Sequence, residues 1–247
     1  MARVQSSYAG QAVNIEHNLM YKIVSFFVKL GTNILCRIDA PDMYKVPMRG
    51  PLIAYSNHSG QIEVAVLFAR LQPRPITGWA KMEAWDHFFL RWLFTLWKLI
   101  PIRRGEGDTT ALRKAIQAIE EGYIFGLAPE GTRNITGRLK RAHPGAVLLA
   151  VRSGAPLLPV AHWGGEKFRE NLKRLRRTDI HIRVGEPICL KVEGVRMTHE
   201  VRQQIVDEMM YRLAELLPPE YRGEYEKVTE IEYLFTARCT IETKDLA

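Results

Sequence analysis

Two side chains in the first quarter of the chain have the residue types and the spacing of a proton-transfer pair. His58 and Glu63 stand five positions apart in the stretch PLIAYSNHSGQIE, residues 51–63. An imidazole that takes a proton benefits from a carboxylate, which fixes its tautomer and stabilises its charged form. The pair is therefore a candidate His–acid dyad for deprotonating a hydroxyl group. The two residues alone leave another interpretation open, namely a surface histidine beside a glutamate of the type that first helical turns favour.

The neighbouring residues predict the elements that must position this pair. Residues 51–55 form an apolar run after a Gly-Pro breaker, which indicates a buried strand. Residues 56–61 are small and polar and predict a turn, and residues 63–70 predict a short helix. A turn followed by a helix can bring position 63 back onto position 58.

The same rhythm of strand and helix continues along the chain. Residues 108–122 predict a helix that Asp108 or Thr109 caps and Gly122 ends. Residues 123–128 predict the next buried strand, and the polar stretch 129–138 follows at its carboxyl end, where open α/β sheets usually bind ligands. Further strands are predicted at 76–80, 156–161 and 179–184, and further helices at 146–152 and 198–217.

Four short blocks resemble, in the same order, the motifs of the glycerolipid acyltransferase family, whose bacterial members acylate lysophosphatidic acid. Asn57-His58 with an acid five positions after the histidine resembles the family's NHxxxxD motif. The other three blocks are IPIRR at 100–104, EGTR at 130–133 and LLPV at 157–160. The resemblance covers roughly residues 19–217. It implies an α/β fold with a mainly parallel central sheet flanked by helices, and an N-terminal amphipathic two-helix membrane-associating element.

The resemblance also implies a reaction and a role for each block. A fatty acyl group moves from an acyl thioester, carried by coenzyme A or acyl carrier protein, to the hydroxyl of a lysophospholipid. The acceptor most in keeping with the family is 1-acylglycerol-3-phosphate, which becomes phosphatidic acid. His58 takes the hydroxyl proton and Glu63 orients His58, while Arg104 and Arg133 hold the acceptor phosphate in guanidinium forks. The remaining expected substrate contacts are Lys81, Glu130, Gly131 and Thr132.

Several of these residues keep a second interpretation. Lys81 could be a solvated lysine near a helix start, and the EGTR block could be a polar turn. Glu130 could accept hydrogen bonds either from the acceptor hydroxyl or from neighbouring amides. The developing oxyanion needs donors, and the expected ones are backbone amides near residues 57–60 or at Gly131.

Two residues depart from the family pattern. The usual acid of the first motif is aspartate, whereas this chain has Glu63, and the serine that often stands two positions after the histidine is Gly60. An extra methylene shifts the carboxylate by more than about 1 Å, a displacement that can cost about 10²-fold in rate. A different lysolipid acceptor, or a catalytically silent lipid-binding protein of the same fold, therefore stays open as an alternative.

Composition restricts the partners and the compartment. The net charge of +8 and the pI near 9.5 indicate an anionic partner, and no nucleic-acid-binding motif is present, so we expect a lipid surface or a phosphorylated substrate and no nucleic acid. Three cysteines without CxxC spacing indicate a reducing compartment and no disulfide framework. The spacing of HExxH and of GxSxG is absent, so we expect neither a metal site nor a serine hydrolase, and no cofactor.

The aromatic and basic segments predict contact with a membrane. Residues 14–35 are largely apolar with Lys22 and Lys29 on one face, and Gly31 allows a break into two helical pieces. Residues 84–100 carry six aromatic side chains and predict one aromatic-rich helix. Ordinary core helices are the alternative for both. We expect a peripheral protein on the cytoplasmic face of the cell membrane. The expected division is membrane-associating helices at 1–36, an acyltransferase domain at 37–217 and a tail of unknown role at 218–247.

Overall fold

The structure is a computed structural model that describes residues 19–60, 62–72, 74–103 and 108–241. Its α-helices are α1 (Leu19–Leu35), α2 (Ile62–Arg70), α3 (Phe88–Leu96), α4 (Thr109–Glu120), α5 (Gly145–Ser153), α6 (Phe168–Lys173) and α7 (His199–Ala214). Its strands are β1 (Cys36–Asp39), β2 (Leu52–Tyr55), β3 (Ile76–Lys81), β4 (Ile100–Ile102), β5 (Ile124–Leu127), β6 (Leu157–Trp163), β7 (Thr178–Val184), β8 (Ile188–Leu190) and β9 (Thr236–Arg238).

The strands of the described residues form one mixed sheet in the order β1-β7-β6-β2-β5-β3-β4, and β8 and β9 extend it beside β6. The central neighbours β6, β2, β5, β3 and β4 all run parallel to one another. The antiparallel pairs are β6 with β7, β6 with β8, and β8 with β9. This architecture confirms the predicted α/β fold with a mainly parallel central sheet flanked by helices.

Alternate side chains of the central strands enter two separate cores, one on each face of the sheet. In β2, Ile53 and Tyr55 pack with α4, α5 and α7, whereas Leu52 and Ala54 pack on the other face, where α1 and α2 lie. All four side chains are buried. Because both faces are covered, the strand reads as a continuous apolar run, as parallel strands usually do.

Local signals set the ends of the best-predicted elements. The Asp108 side chain accepts a hydrogen bond from the Ala111 amide at 2.8 Å, so the predicted cap of α4 is confirmed. Gly122, with φ of 85°, follows the helix in the left-handed conformation that glycine tolerates. Thr198 caps α7 in the same manner through the Val201 amide.

The expected break at Gly31 is wrong, because α1 runs through this residue as one continuous helix. A glycine inside a helix costs only about 1 kcal/mol relative to alanine, and α1 is held by contacts on both sides of it. The Tyr21 hydroxyl accepts from the Gln72 amide at 2.7 Å, and Arg70 donates to the Asn33 side chain at 2.6 Å. A first helical piece before residue 19 lies outside the described residues.

The single aromatic helix expected over residues 84–100 is also wrong. The chain forms a short 3-10 helix at Met82–Asp86, then α3 over Phe88–Leu96, and then enters β4. Lys98 adopts a positive φ of 52°, and its carbonyl accepts from the Thr77 hydroxyl at 2.7 Å. The pairing of β4 with β3 therefore ends the helix earlier than its apolar composition indicates.

The C-terminal segment packs on the domain and contains a disulfide, contrary to the expectation of none. Strand β9 pairs with β8, and this pairing brings Cys239 beside Cys189, with a Cα–Cα distance of 5.7 Å. Fifty positions separate the two cysteines, so no local spacing could reveal the bond. The buried carboxylate of Glu208 also holds this segment, because it accepts hydrogen bonds from the backbone amides of residues 234–236.

Candidate active site

The first and third motifs lie at one edge of the sheet, because they follow neighbouring parallel strands at their carboxyl ends. The first motif follows β2, the EGTR block follows β5, and Lys81 ends β3. Residues 100–102 of the second block form β4, which is paired with β3 in parallel. Adjacent strands lie about 4.8 Å apart, so the loops after β2 and β5 are direct neighbours and Lys81 stands one strand further away.

The loop after β2 is joined to the loop after β5 by hydrogen bonds on both sides of His58. The His58 amide donates to Glu130 Oε1 at 3.1 Å, and the His58 carbonyl accepts from the Asn134 amide at 2.7 Å. Two residues before His58, the Ser56 amide donates to the Leu127 carbonyl at 2.9 Å. The backbone of the candidate base is thus fixed by the third motif.

Glu130 is the centre of this junction. Its side chain is 2% exposed, and its second oxygen accepts from the Lys140 amide at 3.1 Å. Of the two partners expected for this carboxylate, the structure shows neighbouring amides. Burial raises the pKa of Glu130 to about 7, against the opposing effect of the two amide hydrogen bonds.

Asn57 fixes the other side of the same loop to β6. Its side-chain amide donates to the His162 carbonyl at 2.7 Å, and its side-chain oxygen accepts from the His162 amide at 3.0 Å. The His162 ring bonds in turn to the Asn57 carbonyl at 2.7 Å through Nε2. Both side chains are buried, and burial lowers the pKa of His162. His162 is therefore a packed histidine near the end of β6.

Glu63 lies in the first turn of α2 and is 1% exposed. Its Oε1 accepts a hydrogen bond from the Ser59 hydroxyl, and its carboxylate lies against Gly60 and Gly165. The backbone from His58 to Gly60 therefore curls over the acid that follows it, as the predicted turn-and-helix arrangement requires. The contact between the His58 ring and Glu63 stays a prediction.

Unlike the buried Glu63 and Glu130, most of the residues expected to bind the acceptor phosphate are exposed. Thr132 and Arg133 are exposed on the loop after β5, and Lys81 is exposed at the end of β3. Gly131 has a φ of 67°, and a Cβ built on it would lie 3.0 Å from the His143 ring. Arg104 lies outside the described residues, and its neighbour Arg103 follows β4 directly.

The sequence did not reveal three residues around the acid. Ser59 and Gly60 are local, and the serine's position four residues before Glu63 is the only signal that could have identified its hydrogen bond. Gly165 is about a hundred residues away, and no spacing rule connects it to α2. The amides expected to bind the oxyanion also need correction. The His58 and Gly131 amides already donate to Glu130 and to the Ala128 carbonyl, which leaves the amides of Asn57, Ser59 and Gly60 as candidates on the first loop.

Comparison with known proteins assigns the chain to a family. Residues 37–163, half of the chain, match the sequence profile described as Acyltransferase. The chain belongs to the acyltransferase family. The match spans β1 to the end of β6 and contains the four blocks.

Similar proteins of known name agree with this assignment. A 1-acyl-sn-glycerol-3-phosphate acyltransferase of Bacillus subtilis is 28% identical over 173 residues, which are 68% of this chain and 82% of the relative. A Pseudomonas aeruginosa protein of the same name is 25% identical over 189 residues, 75% of this chain and 72% of the relative. The crystal structure of the 1-acyl-sn-glycerophosphate acyltransferase PlsC from Thermotoga maritima superposes with a TM-score of 0.60 at 21% identity, covering 76% of each chain. This structure shares the fold of the present acyltransferase.

Proposed function

We propose that this acyltransferase moves a fatty acyl group from an acyl thioester to the free hydroxyl of 1-acylglycerol-3-phosphate, producing phosphatidic acid. The observation that carries the proposal is the junction of the first and third motifs, where Glu130 holds the backbone of His58. The names of the relatives from Bacillus subtilis and Pseudomonas aeruginosa support the choice of acceptor.

In the proposed reaction His58 acts as the general base. It takes the proton of the acceptor hydroxyl while that oxygen attacks the thioester carbonyl carbon. Collapse of the tetrahedral intermediate breaks the carbon–sulfur bond, and the leaving thiolate takes the proton back from the imidazolium. The products are an ester and a free thiol, and no covalent intermediate with the enzyme forms. Glu63 orients the ring and stabilises its charged form.

Positive side chains at the same edge of the sheet hold the acceptor in this proposal. Arg133 follows β5 and is exposed, so its guanidinium can form a fork with the phosphate. Arg104, which lies outside the described residues, takes the same role in this proposal, and Lys81 adds a cation at the end of β3. Thr132 and Gly131 line the approach to the phosphate on the loop of the third motif.

The exposed apolar surface supports binding to an anionic membrane. On α1, Phe26 and Phe27 are 61% and 62% exposed and accompany the exposed Lys22 and Lys29. On α3, Phe88 is 88% exposed. Aromatic side chains with lysines on the same helix suit the interface between headgroups and acyl chains. Among the described helices, none has the length and apolar character needed to cross a bilayer. From these exposed aromatic and basic side chains we propose a protein that binds the membrane surface peripherally.

A comparison of acceptors tests the proposal. The purified protein and an acyl donor, either acyl-coenzyme A or acyl-acyl carrier protein, are added to vesicles that contain one lysolipid at a time. The release of free thiol and the formation of the lipid product are both measured. We expect turnover with lysophosphatidic acid and much slower turnover with lysophosphatidylcholine or lysophosphatidylethanolamine, whose phosphates carry a headgroup. Faster turnover with another lysolipid would show that the proposed acceptor is wrong. If none of the lysolipids is acylated, the proposal of an enzymatic function is contradicted.

A further inference from the structure

The carboxylate of Glu63 lies between two glycines that come from distant parts of the chain. A Cβ built on Gly60 would lie 2.9 Å from Glu63 Oε2 and 3.2 Å from Oε1. A Cβ built on Gly165 would lie 2.7 Å from Oε1, 2.9 Å from Cδ and 3.0 Å from Cγ. Approaches below 3.0 Å essentially never occur for real Cβ atoms. A Cβ at either position would therefore force the end of the Glu63 side chain to move.

The backbone does not require glycine at either position. Gly60 and Gly165 are not among the residues with positive φ, unlike the neighbouring Gly164, whose φ is 92°. Alanine could therefore adopt both backbone conformations. The nearest atoms that a Cβ at either position would meet are those of the Glu63 side chain.

A hydrogen bond fixes the acid inside this space. Ser59, 3% exposed, donates its hydroxyl to Glu63 Oε1, while Oε2 is buried without a hydrogen-bond partner among the described residues. Burial lowers the pKa of the nearby His162, and the charge of Glu63 opposes this effect in part. An ionised carboxylate buried in this way is held by its walls and by one donor, so its position depends on both.

We propose that Ser59, Gly60 and Gly165 form a pocket, the Glu63 pocket, that sets the length of the acid paired with His58. The aspartate of the family motif is shorter by one methylene, roughly 1.5 Å. The two glycines let the longer side chain of Glu63 fold back, and Ser59 fixes the carboxylate where it can orient the histidine. These three residues are positioning residues that act through Glu63, and the inference rests on the proposed role of His58 and Glu63 in acyl transfer.

A double-mutant cycle between Gly165 and Glu63 tests this pocket. In Gly165→Ala, the new methyl group displaces the carboxylate, and we expect kcat to fall about 10²-fold with little change in KM. In Glu63→Asp, the carboxylate withdraws from Ser59, and we expect a fall of about 10-fold to 10²-fold. In the double variant the methyl group fills space that the shorter acid has left, so kcat stays within about 3-fold of Glu63→Asp alone.

The thermal unfolding midpoint of the same four proteins provides a readout that does not depend on activity. We expect Gly165→Ala to lower the midpoint on the order of 5 °C in the wild type and by clearly less in the Glu63→Asp background. Gly145→Ala is the matched control, because a Cβ on that glycine meets nothing within 4 Å and its φ is not positive. We expect this control to leave both kcat and the midpoint unchanged.

The outcomes separate the pocket from the proposed function. If the wild type transfers no acyl group, the proposed function fails, and the unfolding cycle alone decides about the pocket. If Gly165→Ala lowers the midpoint equally in both backgrounds, the space is not matched to Glu63 and the pocket is refuted. If the kcat of the double variant is reduced by the product of the two single-variant reductions, the claim that Gly165 acts through Glu63 is refuted.

Discussion

Around His58 and Glu63, polar groups are buried and bonded within the protein, whereas Arg133 and Lys81, at the same edge of the sheet, are exposed to solvent. Hydrogen bonds to other protein groups hold the side chains of Asn57, Ser59 and Glu130. No ion pair to Arg133 or Lys81 is present among the described residues. This difference supports the proposal that the His58 side of the site is organised before substrate arrives, while Arg133 and Lys81 keep their charges available for a phosphate headgroup.

The largest effect is expected where the organised side is weakened without removing the base. In Glu130→Gln, one of the two amides held by the carboxylate faces an NH₂ group in place of an oxygen, so the His58 loop shifts. We expect kcat to fall about 10²-fold with KM little changed. Steady-state kinetics on vesicles measures both, and Glu120→Gln, on the exposed surface of α4, is the control. A normal kcat would show that the junction does not position His58.

A smaller and different effect is expected on the phosphate side. Arg133→Ala removes a guanidinium that is not needed to hold the loop, so we expect KM for lysophosphatidic acid to rise about 10-fold at nearly constant kcat. The measurement is the dependence of rate on the surface concentration of the lipid. Arg113→Ala, which removes an exposed arginine from α4, is the control. If the change lowered kcat while KM stayed constant, the assigned division of the site would be contradicted.

A third effect concerns the pH dependence of stability around the buried Glu130. The pKa of Glu130 is raised to about 7 from an ordinary value of 4.5, so between these two pH values the folded protein keeps a proton that the unfolded chain releases. The contribution of this carboxyl to the free energy of unfolding is fully present below about pH 4.5 and is lost as the pH rises through about 7. Its slope is at most about 1.4 kcal/mol per pH unit.

Urea unfolding at several pH values measures this slope in the wild type and in Glu130→Gln. We expect the difference between the two free energies to change in favour of the variant as the pH rises from 4.5 to 7. A difference that is constant over this range would mean that Glu130 titrates at the same pH in the folded and unfolded protein.

Local patterns predicted the parts of the site that lie close together in sequence. The apolar run of β2, the cap at Asp108 and the polar loop after β5 each follow from a few adjacent residues. Parallel pairing then places those loops at one edge, which is why the first and third motifs could be expected to meet.

Contacts between distant residues could not be predicted in this way. Gly165 reaches Glu63, and Cys239 reaches Cys189, only because of how strands far apart in sequence are placed in the sheet. The turn at Lys98, between α3 and β4, likewise depends on the pairing of β4 with β3. This pairing ends α3 earlier than its composition indicates. The resemblance to a family identified the candidate residues of the site, whereas their contacts depend on tertiary packing.

The central claim is that His58 is the base of the acyl transfer, and its direct test is the rate of thiol release with lysophosphatidic acid in His58→Ala. We expect kcat to fall by about 10²–10⁴-fold, with the thermal unfolding midpoint close to that of the wild type, and no change in His199→Ala at the start of α7. Turnover at the wild-type rate in His58→Ala would contradict the account, because the proposed reaction requires His58 to accept the hydroxyl proton.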